Sequence, residues 1–189
     1  MKVQTFNLLF AMLTVIADLA VIGLTFLALG ARVSDGLADA RDAVWDRLSE
    51  VALPLAAVVG LTATLGSLYY SEVADFIPCQ LCWYQRIAMY PMPVILLIAA
   101  WKRDRSIRSY VIPLALIGAA ISIYHYQLER FPDQSSGFCT AEAPCTVVWV
   151  WMFHFISIPF MALSGFALIA WLVWIAGQRD DDPRSTPAA

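Results

Sequence analysis

A chain of 189 residues that is 60% hydrophobic, carries seven tryptophans and has a mean hydropathy of +0.69 exceeds what a soluble domain carries. Its length suits one compact membrane bundle with no room for a large soluble domain. The formal charge of −3 says little by itself, and the basic residues form no patch interleaved with exposed aromatics, which excludes nucleic acid as a partner.

A helix needs about 20 apolar residues to cross roughly 30 Å of hydrocarbon, and five stretches qualify. The first runs from Phe6 to Leu29. It is expected to span and stay uncleaved, because about 24 residues is long for the apolar region of a signal peptide. Cleavage at Ala28-Leu29-Gly30 would also turn every later helix over. Asp18 lies near the middle of this run, where an ionised carboxylate costs roughly 2.5–3.5 kcal/mol on insertion scales. Protonation, a bond to a hydroxyl such as that of Thr14, or a facing protomer would offset that cost, and a packing role is expected.

The Arg32–Glu50 connection alternates acids with bases and places Val33, Leu37, Ala40, Val44 and Leu48 at near-helical spacing, which predicts an amphipathic helix along the cytoplasmic interface. The second stretch is Val51–Tyr70, the third Tyr84–Trp101 and the fourth Tyr110–Tyr126. Pro54, Pro113 and Pro159 are read as early-turn prolines, whereas Pro91 and Pro93 lie deeper and predict a kink in the third helix. The fifth occupies much of Val147–Ala176. There Val147–Met152, with Trp149 and Trp151, reads as an interfacial approach to a helix spanning roughly Phe153–Ala176. The tail after Gln178, with Asp180-Asp181-Asp182 and two prolines, reads as disordered.

Orientation follows from the basic residues, since short loops rich in them stay in the cytoplasm. Lys102, Arg103, Arg105 and Arg108 join helices three and four; Arg32, Arg41 and Arg47 lie in the first connection; Arg179 and Arg184 lie in the tail. In a five-helix topology these segments share one face, and the other keeps Lys2, Arg86 and Arg130. The four cysteines then emerge on the extracytoplasmic side of the cell membrane, where disulfides persist.

The chemistry concentrates in Pro78–Arg86, which reads Pro-Cys-Gln-Leu-Cys-Trp-Tyr-Gln-Arg at the mouth of the third apolar run. Two residues between Cys79 and Cys82 let a first helical turn bring the sulfurs together, and a helix start favours thiolate over thiol. This is a redox pair or a metal site. Cys139 and Cys145 form the second pair, with Gly137 just before it and Pro144 within it, a segment suited to a turn that opens and closes. Zinc held by all four cysteines competes poorly, because Cys-x5-Cys is wider than the usual second ligand pair. Two structural disulfides compete poorly too, since such staples characterise small secreted domains. On a helix, Cys82 and Arg86 share a face, and the guanidinium there favours negative charge on the sulfur, although snorkelling to headgroups would also explain Arg86. His125 ends a helix on the cysteine side, where it either meets a cofactor or anchors the interface. His154 carries the same two readings with less support, Glu72 at the outer end of the second helix either joins the site, caps that boundary or meets Arg86, and Trp83 and Tyr84 read as belt aromatics.

Tyr69-Tyr70-Ser71-Glu72-Val73, Pro78–Arg86 with Met89-Tyr90-Pro91, Tyr124-His125-Tyr126, and Cys139-x5-Cys145 ending in Pro144-Cys145-Thr146 together resemble the DsbB/BdbC family of disulfide-bond formation proteins. The resemblance is greatest to the BdbC-type branch, whose second cysteine pair has this short spacing. It covers Val51–Gly177. It implies an all-α integral membrane protein, a four-helix catalytic bundle with one extra N-terminal transmembrane helix: residues 1–50 the extra helix and connector, 51–177 the core, 178–189 the tail.

The resemblance also implies an oxidoreductase that takes electrons from a DsbA-like thioredoxin-fold partner and passes them to a membrane quinone, ubiquinone or menaquinone. Cys79, Cys82, Cys139 and Cys145 would be catalytic. Cys139 or its mate would form the mixed disulfide with the partner, and Cys79 and Cys145 would link the two loops. Cys82 would then face the quinone, with Arg86 and His125 at its site. No metal is called for. A vitamin-K-epoxide-reductase-like enzyme or reductant-exporting thiol relay is the alternative within redox chemistry, and a metal-binding membrane scaffold the alternative outside it.

Overall fold

Residues 3–134, 139–140 and 143–178 are described by the computed structural model. The expected disorder of 179–189 and the role of Gly137 therefore lie outside the described residues. The described chain is helical, with one isolated antiparallel bridge, Met152 to Ile156. In order, α1 spans Val3–Gly30, α2 Asp35–Glu72, α3 Gln80–Met89, α4 Pro91–Lys102, α5 Arg108–Arg130 and α6 Ile158–Gln178. With α3 and α4 taken as one interrupted span, five helical segments are long and apolar enough to cross a membrane. The protein is an all-α, multi-pass membrane protein.

The third span breaks at Tyr90, immediately before Pro91, which opens α4. Proline has no N–H for the preceding turn and its ring crowds the earlier carbonyl, so the kink falls where the two prolines predict it. Pro159 lies in the first turn of α6 and Pro113 in the second turn of α5. Pro54 differs from expectation. It lies in the middle of α2, because that helix begins at Asp35 rather than near Val51.

The predicted interfacial helix is thus not a separate element. Nothing between Glu50 and Leu53 breaks the ladder, and α2 runs on for 38 residues, about 57 Å at 1.5 Å per residue. Its inward face also differs from the predicted one: Val33 is 89% exposed, while Trp45 is buried. The Trp45 indole meets Trp171 and Trp174 of α6 edge-on, each 6.2 Å away, and packs in one cluster with Leu24 and Ile175. That contact draws the extension upright against α6.

The last helix starts at Ile158, not Phe153. Met152 and Ile156 exchange backbone hydrogen bonds of 2.9 and 2.8 Å, and Phe153 and His154 take the left-handed φ values of 51° and 67° in the turn between. No right-handed helix passes through such residues. The remaining 21 residues of α6 still span about 31 Å.

The core lies among α2, α4, α5 and α6, where Ala56, Met92, Leu96, Val111, Phe166 and Ile169 are buried. Helices α5 and α6 approach closely at Gly118, where a Cβ would overlap the Phe166 ring. Helix α1 packs outside this core against α2 and α6. Phe6 stacks on Tyr69 with centroids 3.8 Å apart, and a Cβ at Gly66 would fall 2.7 Å from the Phe10 ring. Met12, Ile22 and Leu29 point outward and are 48%, 63% and 55% exposed, as suits a helix facing lipid. Asp18 of α1 faces Ser164 of α6, while the Thr14 hydroxyl bonds to the Phe10 carbonyl instead.

Candidate active site

The site forms where α2 ends, α3 begins, α5 ends and α6 begins. Asp75 adopts a left-handed φ of 55° after α2, and the Phe76 N–H bonds back to the Tyr70 carbonyl at 2.9 Å. This turn stacks the Phe76 ring between Tyr70 and Trp149, at 5.6 and 4.9 Å. The stack ties the end of α2 to the segment before α6 and brings Pro78 and Cys79 over the bundle.

Cys79 is the N-cap of α3. Its Sγ accepts from the Cys82 backbone N–H at 3.4 Å and lies 3.0 Å from Cys82 Sγ. The two are free thiols, and Cys79 is buried. His125 of α5 brings Nε2 to 3.5 Å from Cys79 Sγ. The Cys79 thiol is held well below the ordinary range: the Cys82 side-chain hydrogen bond is the main cause, burial opposes it, and His125 adds to it.

Cys139 and Cys145 are bonded to each other, with Cα atoms 5.8 Å apart. Buried Cys145 packs in the same small cluster as Cys79, Leu81 and Leu128, with Cys82 and Cys139 against its edge. All four sequence-identified cysteines therefore meet in one place. Among the described residues, a metal-ligand grouping arises only at Cys79, Cys82 and His125, whose donor atoms lie within 4.8 Å of one another. The four-cysteine zinc arrangement is not formed, since Cys139 and Cys145 are consumed in a disulfide. Three donors are fewer than a closed structural zinc site uses.

On its other side the thiol pair meets a cavity of about 830 Å³. Cys82 and Arg86 line it together, as their four-residue spacing on a helix dictates. Arg86 Nη2 donates to the Ser67 carbonyl of α2 at 3.0 Å, and the guanidinium lies 5.3 Å from the Trp83 ring centroid. Tyr90 Oη and Ser67 Oγ pair at 3.3 Å. Beyond these groups the walls are mostly apolar, with Leu13, Ala17 and Leu24 from α1, Val58 from α2, and Met161 and Leu168 from α6. Helix α1 thus supplies one side of the cavity.

His125 does not line this cavity. It sits behind the sulfur pair, at a hollow of about 20 Å³ shared with Cys79, Cys82, Glu129, Pro144 and Pro159. Glu72 is exposed at the end of α2 and receives the Ser71 hydroxyl at 2.9 Å; the described contacts of Arg86 lie elsewhere. His154 is exposed in the turn before α6, and Trp83 and Tyr84 are 52% and 41% exposed.

Two groups escaped sequence reasoning. Gln85 donates to the Ser122 hydroxyl at 3.0 Å, a buried tie between α3 and α5. Glu129 is buried beside His125, and its spacing of four residues on one helix was the available signal.

Residues 49–176 match the profile of the family described as "Disulfide bond formation protein DsbB". Similar curated proteins include "Disulfide bond formation protein C" of Bacillus subtilis (strain 168), 52% identical over 114 residues covering 59% of this chain and 82% of the relative. "Probable disulfide formation protein C" of Bacillus cereus (strain ATCC 14579) is 48% identical over 126 residues, 66% of this chain and 91% of the relative. "Probable disulfide formation protein C 1" of Bacillus anthracis is likewise 48% identical over 126 residues, with the same shares. No solved structure matches significantly.

Proposed function

The chain belongs to the DsbB family of disulfide bond formation proteins, a membrane disulfide oxidoreductase by that membership, and from this premise we propose that it oxidises a thioredoxin-fold dithiol partner outside the cytoplasm and delivers the electrons to a membrane quinone. The observation that carries the reading is the position of the Cys79/Cys82 pair between two partners. Cys79 packs with the Cys139–Cys145 disulfide on one side, and Cys82 opens on the apolar cavity on the other.

The chemistry balances as two successive exchanges. A thiolate of the partner attacks the Cys139–Cys145 disulfide through a mixed disulfide, and the partner leaves oxidised with this pair reduced to two thiols. The reduced pair then attacks the Cys79–Cys82 disulfide, with Cys79 and Cys145 as the linking sulfurs, and leaves Cys79 and Cys82 as thiols. Those thiols surrender two electrons and two protons to quinone, which becomes quinol, and their disulfide is restored. Attack requires a thiolate, and a leaving sulfur departs faster when its thiol is acidic. The lowered Cys79 thiol suits both roles.

Arg86 sits beside Cys82, where its positive charge stabilises negative charge developing on the quinone oxygens. The cavity volume of about 830 Å³ falls within the range of small-molecule sites, and its apolar walls suit a quinone ring followed by the start of an isoprenoid tail. His125 acts on Cys79 rather than at the quinone ring in this reading, because it borders the hollow and not the cavity. Both pairs face the extracytoplasmic side of the cell membrane, as the basic connections predict.

Fully reduced protein mixed with a water-soluble quinone is the direct test. Quinol should form in proportion to enzyme, with reappearance of the Cys79–Cys82 disulfide by mass spectrometry, and Cys82→Ser should form none. A metal-binding scaffold would form none in either protein, and that result would sink the proposal.

A further inference from the structure

We propose that Glu129 is the buried counter-ion of a Cys79–His125–Glu129 chain that sustains Cys79 as a thiolate, a positioning role that rests on the redox reading above. Glu129 follows His125 by four residues on α5, so the two side chains share a face. Both are withdrawn from solvent, at 9% and 3% exposure. His125 Nε2 approaches Cys79 Sγ at 3.5 Å, while His125 Nδ1 and Glu129 Oε2 are buried without a protein partner. The Ser157 hydroxyl lies beside Glu129 and is the one protein donor that faces its carboxylate among the described residues.

Buried polar atoms are nearly always hydrogen-bonded, and each exception calls for a partner. The hollow that Cys79, Cys82, His125 and Glu129 line has a volume of about 20 Å³, above the roughly 10–15 Å³ that one water needs. A single water there accepts from Nδ1–H and donates to the carboxylate. A proton leaving Cys79 Sγ passes to Nε2, His125 becomes a cation that donates from both nitrogens, and the Glu129 carboxylate opposes its charge. Thiolate, imidazolium and carboxylate then alternate in sign, the arrangement by which an orienting acid supports a nucleophile and its base.

Few other charges face this chain. Cys79 and Cys82 face it from the start of α3, and His125 from α5 itself. Arg130 turns away to stack at 5.2 Å on Trp151. Among the described residues, the segment before α6 offers the Ser157 hydroxyl, α6 lines the hollow with Ile158 and Pro159, and Arg86 lies beyond Cys82 on the cavity side.

The test is the thiolate ultraviolet absorbance of the reduced full-length protein in detergent, titrated against pH, with Cys79→Ser subtracted to isolate the Cys79 sulfur. Glu129→Gln, which keeps the shape and removes the charge, is expected to move the Cys79 titration to higher pH by about one unit, tenfold less thiolate at a given pH on its slope. Glu129→Asp should move it less, in the same direction. In a His125→Ala background Glu129→Gln should no longer raise the titration, because only the direct repulsion between carboxylate and thiolate is then left to remove. A titration that neither Glu129 variant moves, or an equal shift when His125 is absent, overturns the proposal. The absorbance reads the sulfur with no quinone present, so its outcome stands apart from the quinone-reduction test.

Discussion

Cys79 concentrates several influences on one sulfur: the helix start, the Cys82 side chain, the Cys82 backbone N–H and His125. Because its thiol is depressed in the folded protein, the thiolate persists above that lowered value and is lost as pH falls through it. The stability it lends the reduced form is fully present above the ordinary thiol range of about 8.5 and drains away as pH falls toward the lowered value. Alkylation of Cys79, followed by mass spectrometry, should therefore run at a flat rate through neutral pH and fall only in acid. A rate that climbs through the ordinary thiol range would contradict this. Arg86→Gln should lower quinone reduction by about 10²-fold, the usual effect of removing one charge-stabilising donor, and Arg86→Lys should restore only part because an ammonium lacks the guanidinium fork. Initial rates with a fixed quinone decide it. The Cys82–Arg86 pairing was legible because both lie on one helix of fixed period. The side from which His125 approaches the sulfurs was not, since helical phase says nothing of how α5 is rotated against α3.

At the scale of elements, the kink at Tyr90 was legible because proline has one mechanical effect wherever a helix continues past it. The start of α6 was not, because Phe153 and His154 carry no sequence mark of the left-handed turn they adopt. Continuity of α2 was also hidden, since it depends on Trp45 finding Trp171 and Trp174 across the bundle. Close packing between elements gives a direct prediction: Gly118→Ala forces a methyl into the Phe166 ring and should cost about 1–3 kcal/mol. Thermal unfolding in detergent measures it, and an unchanged midpoint would refute the contact. Helix α1 lies outside the family match yet lines the cavity. Ala17→Trp fills space on the α1 wall and should raise KM for a long-tailed quinone about tenfold while kcat changes little. Equal KM values in the two proteins would remove α1 from the site.

For the whole molecule, the meeting of Cys79 with Cys145 is the decisive arrangement, and nothing in the linear sequence measured the distance between them. Four segment ends converge there, and the basic connection between α4 and α5 lies at the far end of the bundle. The proposed relay would be asymmetric on this arrangement, with the partner's thiols at the surface, the four sulfurs in the middle and the apolar cavity beyond them. Its orientation predicts that a membrane-impermeant maleimide, added to intact cells after reduction, labels Cys139 or Cys145; labelling only after lysis would reverse the topology. Coupling between the two ends is read by quinone-dependent oxidation of a reduced thioredoxin-fold dithiol protein by the purified protein, wild type against Cys82→Ser. Partner oxidation matched by quinol formation in wild type, and neither in the variant, is the predicted result. Undiminished turnover in Cys82→Ser, or none from folded wild type with either ubiquinone or menaquinone, would contradict it.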